Sequence, residues 1–162
     1  MEPQIDALDC SLKAKKTVRN YMWWSMGAGL VPIPLVDMAA VTGVQLKMLA
    51  DISHLYDQKF REEVGRKLII SLLGSLLPNG LARGFVGSLL KAVPAIGTVL
   101  GAVSMSIFSG AATYAIGNVF IQHFETGGTL LDFNPSEMRE YFRGQFEQGK
   151  KVAEEMEKQK KN

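Results

Sequence analysis

The 162-residue sequence has little cysteine, little β-strand patterning and almost no charge in a long central stretch. A single cysteine, Cys10, excludes an internal disulfide framework and is typical of a reducing compartment. Residues 1–20 mix acids and bases without an apolar segment, so we expect no secretory signal peptide. Alternation of apolar and polar residues between turns is nearly absent, which argues against a β-sheet fold.

Sequence patterns of common catalytic sites are also absent. No Gly-Lys-Ser/Thr tripeptide occurs, which argues against a phosphate-binding loop, and no Gly-x-Ser-x-Gly elbow occurs. Asp51, His54 and Asp57 have helical spacing, but we interpret them as polar-face residues rather than metal ligands. The near balance of 18 basic and 16 acidic residues argues against a nucleic-acid partner. We therefore expect no enzyme activity, no cofactor and no metal.

Helix signals dominate what is present, and they predict an all-α fold of about six helices. The first helix is expected from Asp9 to about Met26, and Pro32 and Pro34 fix an extended connector after it. Apolar residues at helical spacing predict the second helix over residues 35–56. Further helices are expected over about 57–77, 81–91 and 94–124, and from 135 almost to the C-terminus.

Turn and capping residues set several predicted helix ends. Asp57 is a candidate N-cap, Thr-Gly-Gly at 126–128 should end the long central helix, and Asn-Pro-Ser-Glu at 134–137 should start the last one. The last helix is amphipathic and highly charged. We divide the chain into a helical domain at 1–132 and a charged C-terminal helix at 133–162.

A run of 31 uncharged residues extends from Ala92 to Gln122. About 20 residues suffice to cross a bilayer, but the many small residues make insertion marginal, so a buried helix is the alternative. The shorter apolar segment 68–77 is either core or a re-entrant half-helix. Small residues recur four apart in the long run, a spacing that allows close helix packing within or between subunits. The candidate packing residues are Gly97, Gly101, Ala102, Ser106, Ser109, Gly110, Thr113 and Gly117.

Two adjacent tryptophans, Trp23 and Trp24, follow a basic segment that contains Lys15, Lys16 and Arg19. Aromatic residues beside basic ones are typical of an anchor at the membrane interface. The alternative is that one tryptophan packs in the core and the other is partly exposed.

Residues 31–56, VPIPLVDMAAVTGVQLKMLADISHLY, resemble the signature of the bacterial YcjF-like family, and the likeness covers about residues 20–135. The resemblance implies membrane association and a link to small GTPases of the Era or dynamin-like kind, acting here in trans. Asp37 is expected either to accept N–H bonds in its helix's first turn or to pair with Arg83 or Lys91. The positions that carry the resemblance are Pro32, Pro34, Asp37, Gln45, Met48, Leu49 and Tyr56.

Together these patterns predict a non-enzymatic, membrane-associated helical module on the cytoplasmic side of the bacterial inner membrane. It would bind membrane lipid, self-assemble through its Gly/Ala/Ser-rich helices and serve a GTPase or scaffold partner in trans. One alternative is a water-soluble, homo-oligomeric scaffold in the cytoplasm. Another is a membrane-perturbing effector.

Overall fold

The computed structural model describes residues 2–28, 34–76 and 105–162, and in these ranges every regular element is a helix. The all-α prediction is therefore confirmed. The helix predicted over 81–91 and the beginning of the one predicted over 94–124 lie outside the described residues. The described helices are α1 (Glu2–Ala28), α2 (Pro34–Leu55), α3 (Glu62–Gly74), α4 (Met105–Glu125) and α5 (Pro135–Lys161).

The centre of the bundle is α4, which is buried on almost all sides. Between residues 106 and 121 only three side chains are partly exposed, namely Ile107, Tyr114 and Asn118. These three lie on one stripe, because they are seven and four residues apart. α4 packs along α1 and α5 and also contacts α2 and α3. The described part of the neutral run is thus buried by helices of the same chain, as expected for a helix without a polar face.

α5 has the opposite pattern, with one apolar face on a highly charged helix. Its buried residues are three and four apart, and they are Phe142, Phe146, Gly149, Ala153 and Met156. This face packs against α4, where the ring centroid of Phe146 lies 5.5 Å from that of Phe108. Core residues before and after position 132 therefore belong to one hydrophobic cluster, across the boundary that the charge pattern suggested.

The start of α5 is the one that the sequence predicts. Asn134 has an extended backbone, and its side-chain oxygen accepts a hydrogen bond from the N–H of Ser136 at 3.1 Å. Its side-chain amide donates to Glu137 Oε1 at 3.0 Å. Pro135 occupies the first helical position, where a backbone N–H would have no helical partner. The predicted cap is confirmed.

The start of α3 differs from the prediction, and Asp57 is not its N-cap. α3 begins at Glu62, and Asp57 instead closes α2 in a left-handed conformation with φ of 53°. The Asp57 N–H bonds to the His54 carbonyl at 3.2 Å, and the Gln58 N–H bonds to the Ser53 carbonyl at 2.8 Å. This pair of bonds is a Schellman motif, in which an aspartate takes the place usually held by glycine.

α3 carries the second apolar segment into the core. Ile69 and Leu72 are fully buried, so the described part of the segment 68–77 contributes one face to the core. The carboxyl end of α3 is closed by Arg143 of α5, whose guanidinium donates to the Ser75 carbonyl from two nitrogens, at 2.7 and 3.2 Å. These bonds satisfy a carbonyl that has no partner within its own helix.

The first helix is longer than predicted. α1 begins at Glu2, and Asp9 lies inside it rather than at its start. Asp9 forms an exposed ion pair with Lys13 at 2.6 Å, one turn later. The Asp9 carboxylate is therefore engaged with Lys13 inside the helix and does not act as its N-cap.

A glycine ends α4 as predicted. Gly127 has a φ of 87°, in the left-handed region that favours glycine. Its N–H bonds to the Phe124 carbonyl at 3.0 Å, and the Gly128 N–H bonds to the His123 carbonyl at 2.9 Å. The Thr-Gly-Gly stop is therefore a second Schellman motif, and that prediction is confirmed.

Candidate membrane-contact surface

The inner face of α1 is fixed against α4 by close contacts at glycines. A Cβ atom added to Gly117 would lie 2.4 Å from Val18 Cγ2, and one added to Gly110 would lie 2.8 Å from Met26 Cγ. The missing side chains therefore make room for α1. The inner face consists of residues about one turn apart, all buried: Ala14, Val18, Met22 and Ser25.

The outer face of α1 carries apolar side chains that the described helices leave uncovered. The exposed fractions are 64% for Ile5, 63% for Leu8, 57% for Leu12 and 37% for Trp23. The basic residues Lys15, Lys16 and Arg19 are also exposed on this helix. Steps of three or four residues connect one continuous set, which we call the α1 row: Ile5, Leu8, Leu12, Lys16, Arg19 and Trp23.

The two tryptophans lie on different edges of α1. Trp23 is 37% exposed and Trp24 is 73% exposed, so neither of them is a core residue. Adjacent residues of a helix are about 100° apart, and only Trp23 continues the α1 row. Trp24 lines a groove of about 770 Å³ between α1 and α2, together with Asn20 and Gly43.

The polar end of this groove is built from three side chains. The Tyr21 hydroxyl donates a hydrogen bond to the Asp51 carboxylate, and the Lys47 ammonium lies 3.8 Å from the other oxygen of that carboxylate. Burial raises the pKa of Tyr21, and the hydrogen bond to Asp51 raises it further. The phenol therefore stays protonated at neutral pH, which suits a donor that ties α1 to α2.

The small residues predicted to pack helices lie inside this bundle where the structure describes them. Ser106, Ser109, Gly110, Thr113 and Gly117 are all buried on α4. Gly110 and Gly117 contact α1, and Gly110 also faces Ala153 of α5. Three further predicted positions lie outside the described ranges: Gly97, Gly101 and Ala102.

A chain of buried polar groups joins three helices near the end of α1. Gln45 Nε2 of α2 donates to Thr113 Oγ1 at 3.5 Å, and Thr113 donates to Ser25 Oγ at 2.8 Å. Ser25 in turn donates to the Ser109 carbonyl at 3.0 Å. Gln45 Oε1 is buried and has no hydrogen-bond partner among the described residues. An unpartnered buried carbonyl opposes folding.

Replacing Gln45 with leucine is expected to raise the free energy of unfolding by about 1 kcal/mol, because the variant no longer buries an unpaired carbonyl. Thr113→Val is the matched comparison, and it should lower stability by about 1–3 kcal/mol, since it leaves the Gln45 amide without its acceptor. Urea unfolding of the full chain measures both. A loss of stability in Gln45→Leu would contradict this prediction.

The residues that carry the family resemblance are mostly packing residues. Met48 and Leu49 are fully buried in α2, beside Gln45. The Tyr56 hydroxyl donates to Glu125 Oε1 at 2.9 Å and so ties the end of α2 to the end of α4. Burial, followed by this bond, raises the pKa of Tyr56. Of the remaining positions, Pro34 and Asp37 lie at the start of α2, and Pro32 lies outside the described residues.

The part of the chain that the structure describes contains no group of three or more His, Cys, Asp or Glu side chains that could hold a metal ion. Asp51 instead accepts the Tyr21 hydrogen bond, and Asp57 closes α2. The Cys10 thiol donates to the Leu55 carbonyl at 3.2 Å, and burial raises its pKa, which lowers the thiolate fraction.

None of the helices within residues 2–28, 34–76 and 105–162 has the length and apolar character needed to cross a membrane.

Sequence reasoning identified the basic residues and Trp23 but missed the apolar half of the α1 row. Ile5, Leu8 and Leu12 lie before or just after the predicted helix start at Asp9. Their three- and four-residue spacing predicts a helix even though no capping residue marks its start. The packing of α1 on α4 and α2 decides which face of α1 is buried.

The protein is therefore an all-α helical bundle. Its central helix packs against its neighbours at glycines, and its first helix has an exposed face of apolar and basic residues. The chain belongs to the family described as Domain of unknown function (DUF697), which matches residues 9–151. It is 39% identical over 151 residues to "Magnetosome membrane protein 22" of Magnetospirillum gryphiswaldense, an alignment that covers 93% of this chain and 77% of that relative. No solved structure matches the chain.

Proposed function

We propose that this protein is a non-enzymatic helical module that attaches to a membrane. The observation that carries the proposal is the exposed set of Ile5, Leu8, Leu12 and Trp23 beside three basic side chains. A relative that aligns with 93% of the chain is named a membrane protein, which supports the same conclusion. A large exposed apolar patch commonly marks an interaction site.

The size of the surface fits reversible attachment. Burying an exposed aliphatic side chain completely contributes about 1.5–3 kcal/mol, and a basic side chain near an anionic membrane contributes about 1 kcal/mol. The outer face offers three aliphatic residues, one tryptophan and three bases. Their sum is enough to hold a helix at the membrane surface. The proposed side of the membrane is the cytoplasmic side of the bacterial inner membrane, because anionic lipid there attracts basic segments.

Self-assembly and a partner in trans are the finer parts of this proposal. The described small residues of α4 are occupied by α1 and α5, so contacts between copies would use Gly97, Gly101 and Ala102. The charged outer face of α5 is the surface proposed for a GTPase or scaffold partner, following the resemblance to YcjF-like proteins.

A water-soluble, homo-oligomeric scaffold is the second candidate. It is favoured by the burial of Ser106, Ser109, Gly110, Thr113 and Gly117 inside a single chain, since these residues then need no lipid around them. Such a protein would purify without detergent as a defined oligomer that carries no phospholipid.

Fractionation of cells that produce the full chain tests membrane attachment. We expect the protein in the membrane pellet at low ionic strength and its partial release by high salt, because screening weakens the attraction of the bases to anionic lipid. A cytosolic enzyme and a spanning protein serve as the two controls. Complete recovery in the supernatant at low salt would contradict the proposal and favour the soluble scaffold.

A further inference from the structure

We infer that the α1 row lies flat on anionic phospholipid, with its aliphatic residues among the acyl chains and its basic residues at the head groups. This inference rests on the proposed function and specifies its contact surface. The row advances by 3, 4, 4, 3 and 4 residues from Ile5 to Trp23, so it stays on one side of the helix. At about 1.5 Å per residue it extends roughly 27 Å, parallel to the membrane plane.

The charge on the row points to an anionic partner. Lys16 and Arg19 lie on the row and Lys15 flanks it, and none of the row residues is acidic. An acid at its edge, Asp9, is paired with Lys13 at 2.6 Å. The cationic heads sit on long aliphatic stems, which allow them to reach phosphate oxygens while the stems stay in the apolar layer.

The same charges argue against a second copy as the occupant. A coiled coil through this face would repeat with heptad spacing, placing Ile5, Leu8, Leu12, Lys15 and Arg19 at the seam. In a parallel symmetric pair two of these five layers would then bring like charges together. Phospholipid head groups neutralise them instead.

The packing beneath the row fixes its orientation. Val18 fills the space above Gly117, and Met26 fills the space above Gly110. α1 therefore cannot turn its outer face inward without losing these contacts. The whole bundle follows α1 to the surface, with α4 on the side away from the lipid.

Sedimentation with vesicles tests the inference on the full chain. The vesicles consist either of phosphatidylcholine alone or of phosphatidylcholine mixed with phosphatidylglycerol. We expect tighter binding to the mixed vesicles and weaker binding as salt is added. Lys16→Gln/Arg19→Gln should lower the partition constant for mixed vesicles by about 30-fold, from about 1 kcal/mol for each basic residue. Leu8→Gln/Leu12→Gln should lower it by at least that factor.

The two tryptophans supply the matched control. Trp23→Gln should weaken vesicle binding about tenfold, because an interfacial aromatic ring is lost. Trp24→Gln makes the same chemical change one residue later, on the groove edge, and should leave binding unchanged. Circular dichroism and the unfolding midpoint verify that each variant folds, which the exposure of these side chains leads us to expect.

Several outcomes would overturn the inference while leaving the proposed function in place. Pelleting of the unaltered protein with cell membranes, together with no binding to either kind of vesicle, would indicate a protein receptor. Equal binding by all row variants would place the lipid contact elsewhere on the chain. A change in particle mass, rather than in vesicle binding, for Lys16→Gln/Arg19→Gln would identify a second copy as the occupant.

Discussion

Substituting Gly149 with alanine is expected to lower the free energy of unfolding by about 3 kcal/mol. The new Cβ atom would lie 2.8 Å from the Ala111 carbonyl oxygen and 3.0 Å from Ala111 Cα. These are backbone atoms of α4, so the clash is relieved only if α4 and α5 move apart. For a chain of this length the melting temperature should fall by roughly 10 °C. Thermal unfolding followed by circular dichroism measures the change.

The control for this variant lies in the same helix. Gly144 is exposed on α5, and a Cβ atom added there would have no neighbour within 4 Å. Gly144→Ala should therefore raise stability by about 1 kcal/mol, because alanine loses less backbone entropy in a helix. A loss of stability in Gly149→Ala together with a gain in Gly144→Ala would indicate that α4 and α5 cross closely at Gly149. Equal gains at both positions would contradict it.

Gly117→Ala is expected to lower stability by a similar amount, about 3 kcal/mol, at the contact between α1 and α4. The added Cβ atom would lie 2.4 Å from Val18 Cγ2 and 2.9 Å from Val18 Cγ1. Valine in a helix is restricted to essentially one rotamer, so the side chain cannot turn away. Urea unfolding measures the loss.

Combining this change with Val18→Ala should restore part of the stability. Val18→Ala alone removes buried methyl groups and should cost about 2 kcal/mol. In the double variant the methyl group introduced at position 117 occupies part of the space that Val18 leaves, so the loss should be smaller than for Gly117→Ala alone. Additive losses would mean that α1 does not pack on α4 in this register, and the orientation of the α1 row would then need revision.

Both predictions concern glycines at close helix crossings, and glycine is also common where helices cross inside membranes. Rows of small residues allow close approach in lipid and in water alike, so the pattern does not identify the solvent. In the described part of α4 the neighbours are α1 and α5 of the same chain. The membrane surface that we propose lies instead on the outside of α1, where apolar and basic residues remain exposed.

Some helix ends could be predicted from local sequence and others could not. The cap at Asn134 uses bonds within four residues, and the stop at Gly127 depends on a conformation that glycine adopts easily. The local sequence around Asp57 predicts the start of α3 rather than the end of α2, because an aspartate can either start a helix or close one in the left-handed conformation. Only the bonds back to α2 distinguish the two roles.

The all-α class and most of the described helix positions follow from local sequence, because they depend on periodicity and short-range capping. Tertiary structure decided that Gly110 and Gly117 face α1, that Trp23 and Trp24 lie on different edges, and that Ile5, Leu8 and Leu12 remain uncovered. The reason is that helical spacing places residues on one face without specifying what covers that face. Coverage is set by how α1 packs on α4, through contacts between residues about a hundred positions apart in the chain.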